Sequence, residues 1–332
     1  MIMGKVYFFG DVHFSAMHPW LIDAGNKFID WFKNEYKNCN EDYAIFLGDV
    51  TDKHVNPGGV IKQAFKLFEY CDKTFKKTYV LTGNHDKKLY RDIVQNSLQF
   101  LECFDNVHVI EEIEKIVIEN HTILAMPHLR TNISLNDYYT NYDWASWAKE
   151  NGICDVGIGH WARRSPEFQF SKSGVDTTQV PARKWVVGHI HTRPSPEYTG
   201  SIWPCNPNEQ DCNYPRCVKE WDLASNSWIE KPLPVFLRYE EVSYPESITL
   251  KEDDPVRVFT VNGIKNKSEA EAFYKNIYIR DVNRAMTNKD VVAASSDDIF
   301  LYKDNKEALK AMIDETKMTI SENALKIIDE IL

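Results

Sequence analysis

The chain of 332 residues is 43% hydrophobic and 27% charged, a globular balance that excludes long disorder and leaves room for about two domains. Fourteen Gly and fourteen Pro exclude collagen-like and low-complexity classes, and no window approaches the roughly 18 consecutive apolar residues of a membrane helix. The net charge of −10 argues against a protein that coats nucleic acid by electrostatics alone, although bound metal ions can supply positive charge locally.

Lys5–Gly10 reads as a buried strand whose apolar run, Val6 to Phe9, is too short for a secretory leader before Asp11. A cytoplasmic protein with no membrane association is therefore expected. Trp20–Lys37 follows as an amphipathic helix with Leu21, Phe28 and Phe32 on one side. Tyr43–Leu47 is a second strand, Val60–Cys71 a second helix and Thr78–Leu81 a third strand. This β-α-β-α-β order implies crossovers and a mostly parallel sheet. Further strands are predicted at Val107–Ile110, Lys115–Ile118, Thr122–Ala125, Val156–Ile158 and Trp185–Val187, with a helix at Asn141–Glu150. From Thr192 to Tyr239 the texture turns to short strands and Pro-rich turns. Tyr244–Pro255, acidic and with Pro at both ends, reads as a linker. Beyond it, Val256–Val261 and Asn276–Arg280 read as strands around a helix near Ser268–Tyr274, and Asn305–Leu332 as amphipathic helices. The predicted plan is a catalytic α/β domain over residues 1–242 and a small α+β appendage over 243–332.

Four of the predicted strands run into residues that bind metals. The first leads into Asp11-Val12-His13, the second into Gly48-Asp49, the third into Gly83-Asn84-His85-Asp86, and Trp185–Val187 into Gly188-His189-Ile190-His191. In open α/β sheets the carboxyl ends of strands converge on the ligand crevice, so these side chains are expected to meet. The donors are carboxylate, imidazole and amide, with no thiolate, a set that favours Mn, Fe or Zn in mixed N/O coordination. They exceed what one ion needs. Two ions about 3.5–4 Å apart, sharing a carboxylate, would clamp a phosphate and lower the pKa of a bridging water, making a hydroxide nucleophile near neutral pH. The reaction implied is phosphoester hydrolysis.

The motifs GDVH (10–13), GDVTD (48–52), GNHD (83–86), GIGH (157–160) and GHIH (188–191) resemble, in order, those of the calcineurin-like metallophosphoesterases. The resemblance implies a β-sheet sandwich flanked by helices, with a dinuclear site at the carboxyl ends of the strands. It assigns Asp11, His13 and His191 to one ion and Asn84, His160 and His189 to the other. Asp49 would bridge them, and His85 would assist catalysis from just outside the metal shell. Lys53 and Asp86 stand where protein Ser/Thr phosphatases have Arg and Glu. GDVTDKHVNPGG (48–59), AMPHLR (125–130), GHIHTRP (188–194) and EYTGS (197–201) are instead similar to the SbcD nuclease subunit and its repair relatives. That likeness implies a Mn²⁺-dependent DNA exonuclease or endonuclease in repair or recombination, working beside an SbcC-like ATPase or as a homodimer. A stand-alone phosphodiesterase or phosphatase on nucleotides or small phosphoesters is the alternative.

Other residues carry further expectations. His128 follows a strand and competes with His160, but sits where the SbcD-like pattern has Tyr. Asp52 and Asp86 are expected to orient imidazoles or amides around the metals. Arg163, Arg164 and Arg193 are candidate contacts to a DNA backbone. Trp161 and Trp203 could stack on bases, with core packing the favoured reading. Seven cysteines, an odd number, are expected as reduced thiols. Cys205, Cys212 and Cys217 lie close together but lack the paired spacing of a metal knuckle.

Overall fold

A computed structural model describes residues 4–90, 93–129, 134–164, 174–251, 253–275 and 277–283. The predicted helices over Asn305–Leu332 lie outside the described residues. The chain opens with β1 (Lys5–Phe9), α1 (Pro19–Glu35), β2 (Tyr43–Phe46), α2 (Gly58–Thr74) and β3 (Lys77–Leu81). A short antiparallel pair, β4 (Lys87–Tyr90) and β5 (Ile93–Asn96), precedes β6 (Val107–Ile110). The strands β1, β2, β3 and β6 pair in parallel, in that order. Two later strands, β11 (Cys217–Asp222) and β12 (Ser227–Pro232), extend this sheet antiparallel on the free side of β1.

The second sheet begins with β7 (Glu114–Ile118) and β8 (His121–Met126), an antiparallel pair. It continues in parallel through β9 (Cys154–His160) to β10 (Ala182–Gly188). Between β8 and β9 the chain forms two short helices, α3 (Leu135–Asn141) and α4 (Trp144–Asn151). The single helix predicted at Asn141–Glu150 is thus broken at Tyr142 and Asp143. The first helix ends at Tyr142, and Asp143 caps the second, its carboxylate accepting the Ser146 amide at 3.0 Å.

Strand alternation builds the layers. Val6 and Phe8 turn inward to meet Ile123, Ala125, Val156, Ile158 and Val186 of the second sheet, so the two sheets share a dry core. Tyr7 and Phe9 turn outward, under Phe28 and Phe32 of α1 and Leu67 and Phe68 of α2. On the far side Tyr139, Trp144, Trp161 and Trp185 cover the second sheet. Helix, sheet, sheet, helix is the resulting stack.

A third, parallel sheet follows: β13 (Leu237–Ser243), β14 (Val256–Asn262) and β15 (Tyr278–Asn283), with α5 (Lys267–Phe273) between the last two. The predicted boundary after residue 242 falls inside β13. Leu237, Tyr239, Val256 and Val258 also belong to the core under α1, so this sheet is fused to the first one rather than hung on a linker. The short strands expected over 192–239 are β11, β12 and the start of β13, whose bounds the sequence did not set. Pro204, Pro207 and Pro215 precede β11, and Pro234 separates β12 from β13, which hides the alternation.

Candidate metal centre

The carboxyl ends of β1, β2, β3, β9 and β10 converge, and tight turns hold the donors there. Gly48 (φ 104°) follows Leu47 at the end of β2; a Cβ on it would lie 2.4 Å from His160 Nδ1. Three residues of the site, His13 (φ 50°), Asp49 (φ 47°) and His189 (φ 80°), have left-handed backbone. The loops lock together through the main chain: the His13 amide donates to the Asp49 carbonyl at 2.9 Å, and the His189 amide donates to both oxygens of Asp11 at 3.1 and 2.9 Å.

Asp49 is at the centre. Its Oδ1 accepts the His85 amide at 2.8 Å. Its Oδ2 faces three imidazoles: His160 Nε2 at 3.1 Å, His13 Nε2 at 3.6 Å and His85 Nε2 at 4.0 Å. On one side, His160 Nε2 and His189 Nδ1 both point at Asn84 Oδ1, at 3.0 and 2.9 Å. His160 Nδ1 donates to the Leu47 carbonyl at 2.8 Å, so in the neutral ring Nε2 presents a lone pair to two oxygen acceptors. On the other side, His13 Nε2 and His191 Nε2 are 2.9 Å apart, and Asp11 Oδ2 is 3.7 Å from His191 Nε2. Imidazoles, an amide oxygen and carboxylates so gathered could hold metal ions between them.

The electrostatics agree. Burial would raise the Asp49 carboxyl, but the charge and hydrogen bond of His160, with His13 and His85 behind, hold it well below the usual range. Burial pulls His160 down, yet Asp49 and Asp11 lift it to about 9. Burial, aided by the charge of His160, presses His189 down to about 3, and burial likewise lowers His13. In the metal-free chain a proton on His160 offsets the two buried carboxylates, where divalent ions would do so better. The residues fit two ions: Asp11, His13 and His191 beside one position, Asn84, His160 and His189 beside the other, and Asp49 facing both.

Further partners steady these donors. His85 Nδ1 donates to the Asp52 carbonyl at 2.6 Å, which leaves Nε2 toward the site at a partly exposed ring. Asp52 therefore acts on His85 through its main chain, while its carboxylate accepts from Ser15 at 3.0 Å. Asp86 bonds main-chain amides of two of the metal loops. It is buried and accepts from the amides of Thr51 and Gly83, both at 3.0 Å, and of Val50 at 3.3 Å, as well as from the Thr51 hydroxyl. It staples the 48–52 and 83–86 loops and touches no imidazole or side-chain amide through these bonds. Burial, with Asp49's charge behind it, pushes its carboxyl up to about 6.

One supporting residue escaped the sequence reading. Glu209 Oε2 lies 3.0 Å from His191 Nδ1, the carboxylate–histidine arrangement that fixes a ligand's tautomer. Nothing in its PNE context announces this. Arg193, a predicted DNA contact, is corrected by the structure: it is 1% exposed. Its guanidinium donates to the Tyr198 and Pro215 carbonyls and pairs with Glu230 at 2.6 Å. Arg163 and Arg164 stay at the surface, paired with Glu197 at 2.5 Å and Asp176 at 3.4 Å. Trp161 and Trp203 are core residues, each 1% exposed. His128 stands beyond His160, ring centroids 6.4 Å apart. Of the three neighbouring cysteines, only Cys205 comes within metal-sharing distance of site histidines.

A family model described as calcineurin-like phosphoesterase matches residues 4–193, the span that carries every donor named above. The chain belongs to that family. As a calcineurin-like phosphoesterase it is a metal-dependent hydrolase of phosphate esters. No curated protein matches the sequence. Among solved structures, this phosphoesterase is similar to a protein of unknown function, AQ665 from Aquifex aeolicus, at 17% identity and a TM-score of 0.29, over 54% of this chain and 88% of that one. It is also similar to phosphopantetheinyl hydrolase from Mycobacterium tuberculosis, at 14% identity and a TM-score of 0.31, over 63% and 92%. No described helix of this phosphoesterase is long and apolar enough to cross a membrane.

Proposed function

We propose that this phosphoesterase is a phosphodiesterase that cleaves DNA, of the SbcD nuclease-subunit type, acting in repair or recombination. The observation that carries the reading is the setting of His85. Its Nδ1 is tied to the Asp52 carbonyl at 2.6 Å, its Nε2 stands 4.0 Å from the shared carboxylate of Asp49, and its side chain is 39% exposed. An imidazole so held can give a proton to a leaving oxygen. That help matters most when the leaving group is a poor one, such as the sugar alkoxide of a nucleic acid. Two divalent ions, with Mn²⁺ the best match to the mixed N/O donors, would supply charge to the phosphate oxygens and acidify water. Asp49 orients from below, Asp11 and the four metal-facing histidines fix the geometry, and His85 serves the leaving group. The SbcC-like ATPase partner belongs to the same reading, through the sequence of residues 305–332.

A second reading, hydrolysis of nucleotides or small phosphoesters, is favoured by the burial of Arg193 and by the acidic partners of Arg163 and Arg164. These leave less free positive charge for a polyanion. Purified protein with Mn²⁺ should be assayed in parallel on labelled linear duplex, single-stranded DNA and a chromogenic phosphodiester. Cleavage of DNA, abolished by EDTA and restored better by Mn²⁺ than by Mg²⁺, is the expected result. Turnover of the small substrates alone would replace the nuclease reading with the second one.

A further inference from the structure

The first metal position holds a donor of a different kind from those the motifs provide. Cys205 Sγ, one ring nitrogen of His13 and one of His191 all lie within 4.8 Å of one another. Two ligands on opposite sides of one ion stand at most about 4.4 Å apart for a sulfur and a nitrogen, so the observed spread is close to the span of one shared ion. The thiol is not there by accident of a flexible loop. The Cys205 amide donates to Glu209 Oε2 at 2.9 Å, the same oxygen that lies 3.0 Å from His191 Nδ1, and the Tyr239 hydroxyl donates to the Cys205 carbonyl at 3.1 Å. One carboxylate thus ties the main chain of Cys205 to the neighbouring imidazole. The segment is anchored on the other flank too, where the Ile202 amide donates to the Asp11 carbonyl at 2.9 Å. His13, the third member, is buried, with no hydrogen-bond partner for its Nδ1.

We infer that Cys205 is a sulfur ligand to the ion held by Asp11, His13 and His191, an inference that rests on the two-ion reading of the site. Binding exchanges the thiol proton, which leaves to solvent, for the ion. The two positions are then chemically unequal. The Asn84, His160 and His189 side offers only nitrogen and oxygen and suits Mn²⁺, whereas a sulfur beside two imidazoles draws the softer Zn²⁺, Fe²⁺ or Co²⁺. The donor set read from the motifs contained no thiolate, and Cys205 amends it.

Cobalt reports the two ideas separately. In the full-length protein loaded with Co²⁺, visible d–d bands register ions in nitrogen and oxygen surroundings, while a near-ultraviolet sulfur-to-cobalt charge-transfer band registers Cys205. The charge-transfer band is expected in the wild type and in Cys212→Ser, and lost in Cys205→Ser with visible bands retained. Zn²⁺ affinity at one position should fall about tenfold or more in Cys205→Ser, with Mn²⁺ affinity at the other unchanged. Visible bands without the charge-transfer band in the wild type, or an undiminished band in Cys205→Ser, would overturn the sulfur ligand and leave the two-ion reading standing. Absence of all bands would instead count against the two-ion reading and the inference together. Should Cys205→Ser fail to fold, X-ray absorption on the zinc-loaded wild type decides: a sulfur scatterer at about 2.3 Å supports the assignment, and a shell of nitrogen and oxygen alone refutes it.

Discussion

His85 and Asn84 are adjacent in sequence and divide the labour between them. Asn84 presents its Oδ1 to two imidazoles, whereas His85 turns its Nε2 past Asp49 toward the open side. If His85 protonates the departing oxygen, its loss should be felt in proportion to how poor the leaving group is. His85→Gln is expected to lose roughly 10²–10⁴-fold in rate on DNA and far less on a nitrophenyl phosphodiester, with metal stoichiometry unchanged. Equal losses on both substrates would make His85 a structural or metal-holding residue. Most of this constellation was legible because each donor sits in a short contiguous motif directly after a strand. Cys205 and Glu209 were not. They lie in the segment between Pro204 and Gln210, which holds only a single 3-10 turn at Pro207–Glu209, too short for periodicity to say which way a side chain faces. Arg193 failed for the opposite reason: standing two residues after His191 says nothing of direction, and its guanidinium turns inward to the Tyr198 and Pro215 carbonyls.

At the scale of elements, the strands that frame the site were readable from short runs of β-branched and aromatic residues, because β1, β2, β3, β9 and β10 are buried where they run into the donors. The edge made by β11 and β12 was expected only as short strands without bounds, since charged residues are interleaved there. Glu220 of β11 is 1% exposed, yet it takes Lys5 of β1 at 2.5 Å and Lys231 of β12 at 2.8 Å. It is an ionic rivet across three strands. Burial would raise its carboxyl, but the hydrogen bonds and charges of Lys231 and Lys5 hold it below its ordinary 4.5. A depressed folded pKa contributes stability that is complete above about pH 4.5 and is lost as the pH falls through the folded value. Glu220→Gln should therefore melt lower than the wild type at pH 7, by the equivalent of about 1 kcal/mol given the exposed lysine partners. The gap should close as the pH drops below 4.5. A gap that persists undiminished in acid would show that packing, not charge, is what Glu220 provides.

For the molecule as a whole, the third sheet decides what can be cut away. A fragment of residues 1–242 would end inside β13 and discard β14, whose Val256 and Val258 sit in the core beneath α1. Burying each such side chain is worth about 1.5–3 kcal/mol, and removing them also bares Leu237 and Tyr239. The fragment is expected to aggregate or to melt without cooperativity, as followed by light scattering and calorimetry. A soluble fragment with a sharp transition would restore the sequence-based view of two separable domains.

The left-handed backbone at His13, Asp49 and His189 has a bearing on how such a site is inherited. Each is a conformation in which a side chain costs on the order of 1 kcal/mol and glycine costs nothing. At an ordinary position glycine is less stable than alanine; at residue 189 the order should reverse, His189→Gly melting above His189→Ala. The same reversal is expected at positions 13 and 49. Hydrolysis is thus written at places where the fold by itself would choose glycine. A lineage freed from the need to cleave phosphate esters would not decay at random there: it would drift toward glycine, becoming sturdier as it fell silent, and the direction of that drift would mark which of its members had given up the reaction.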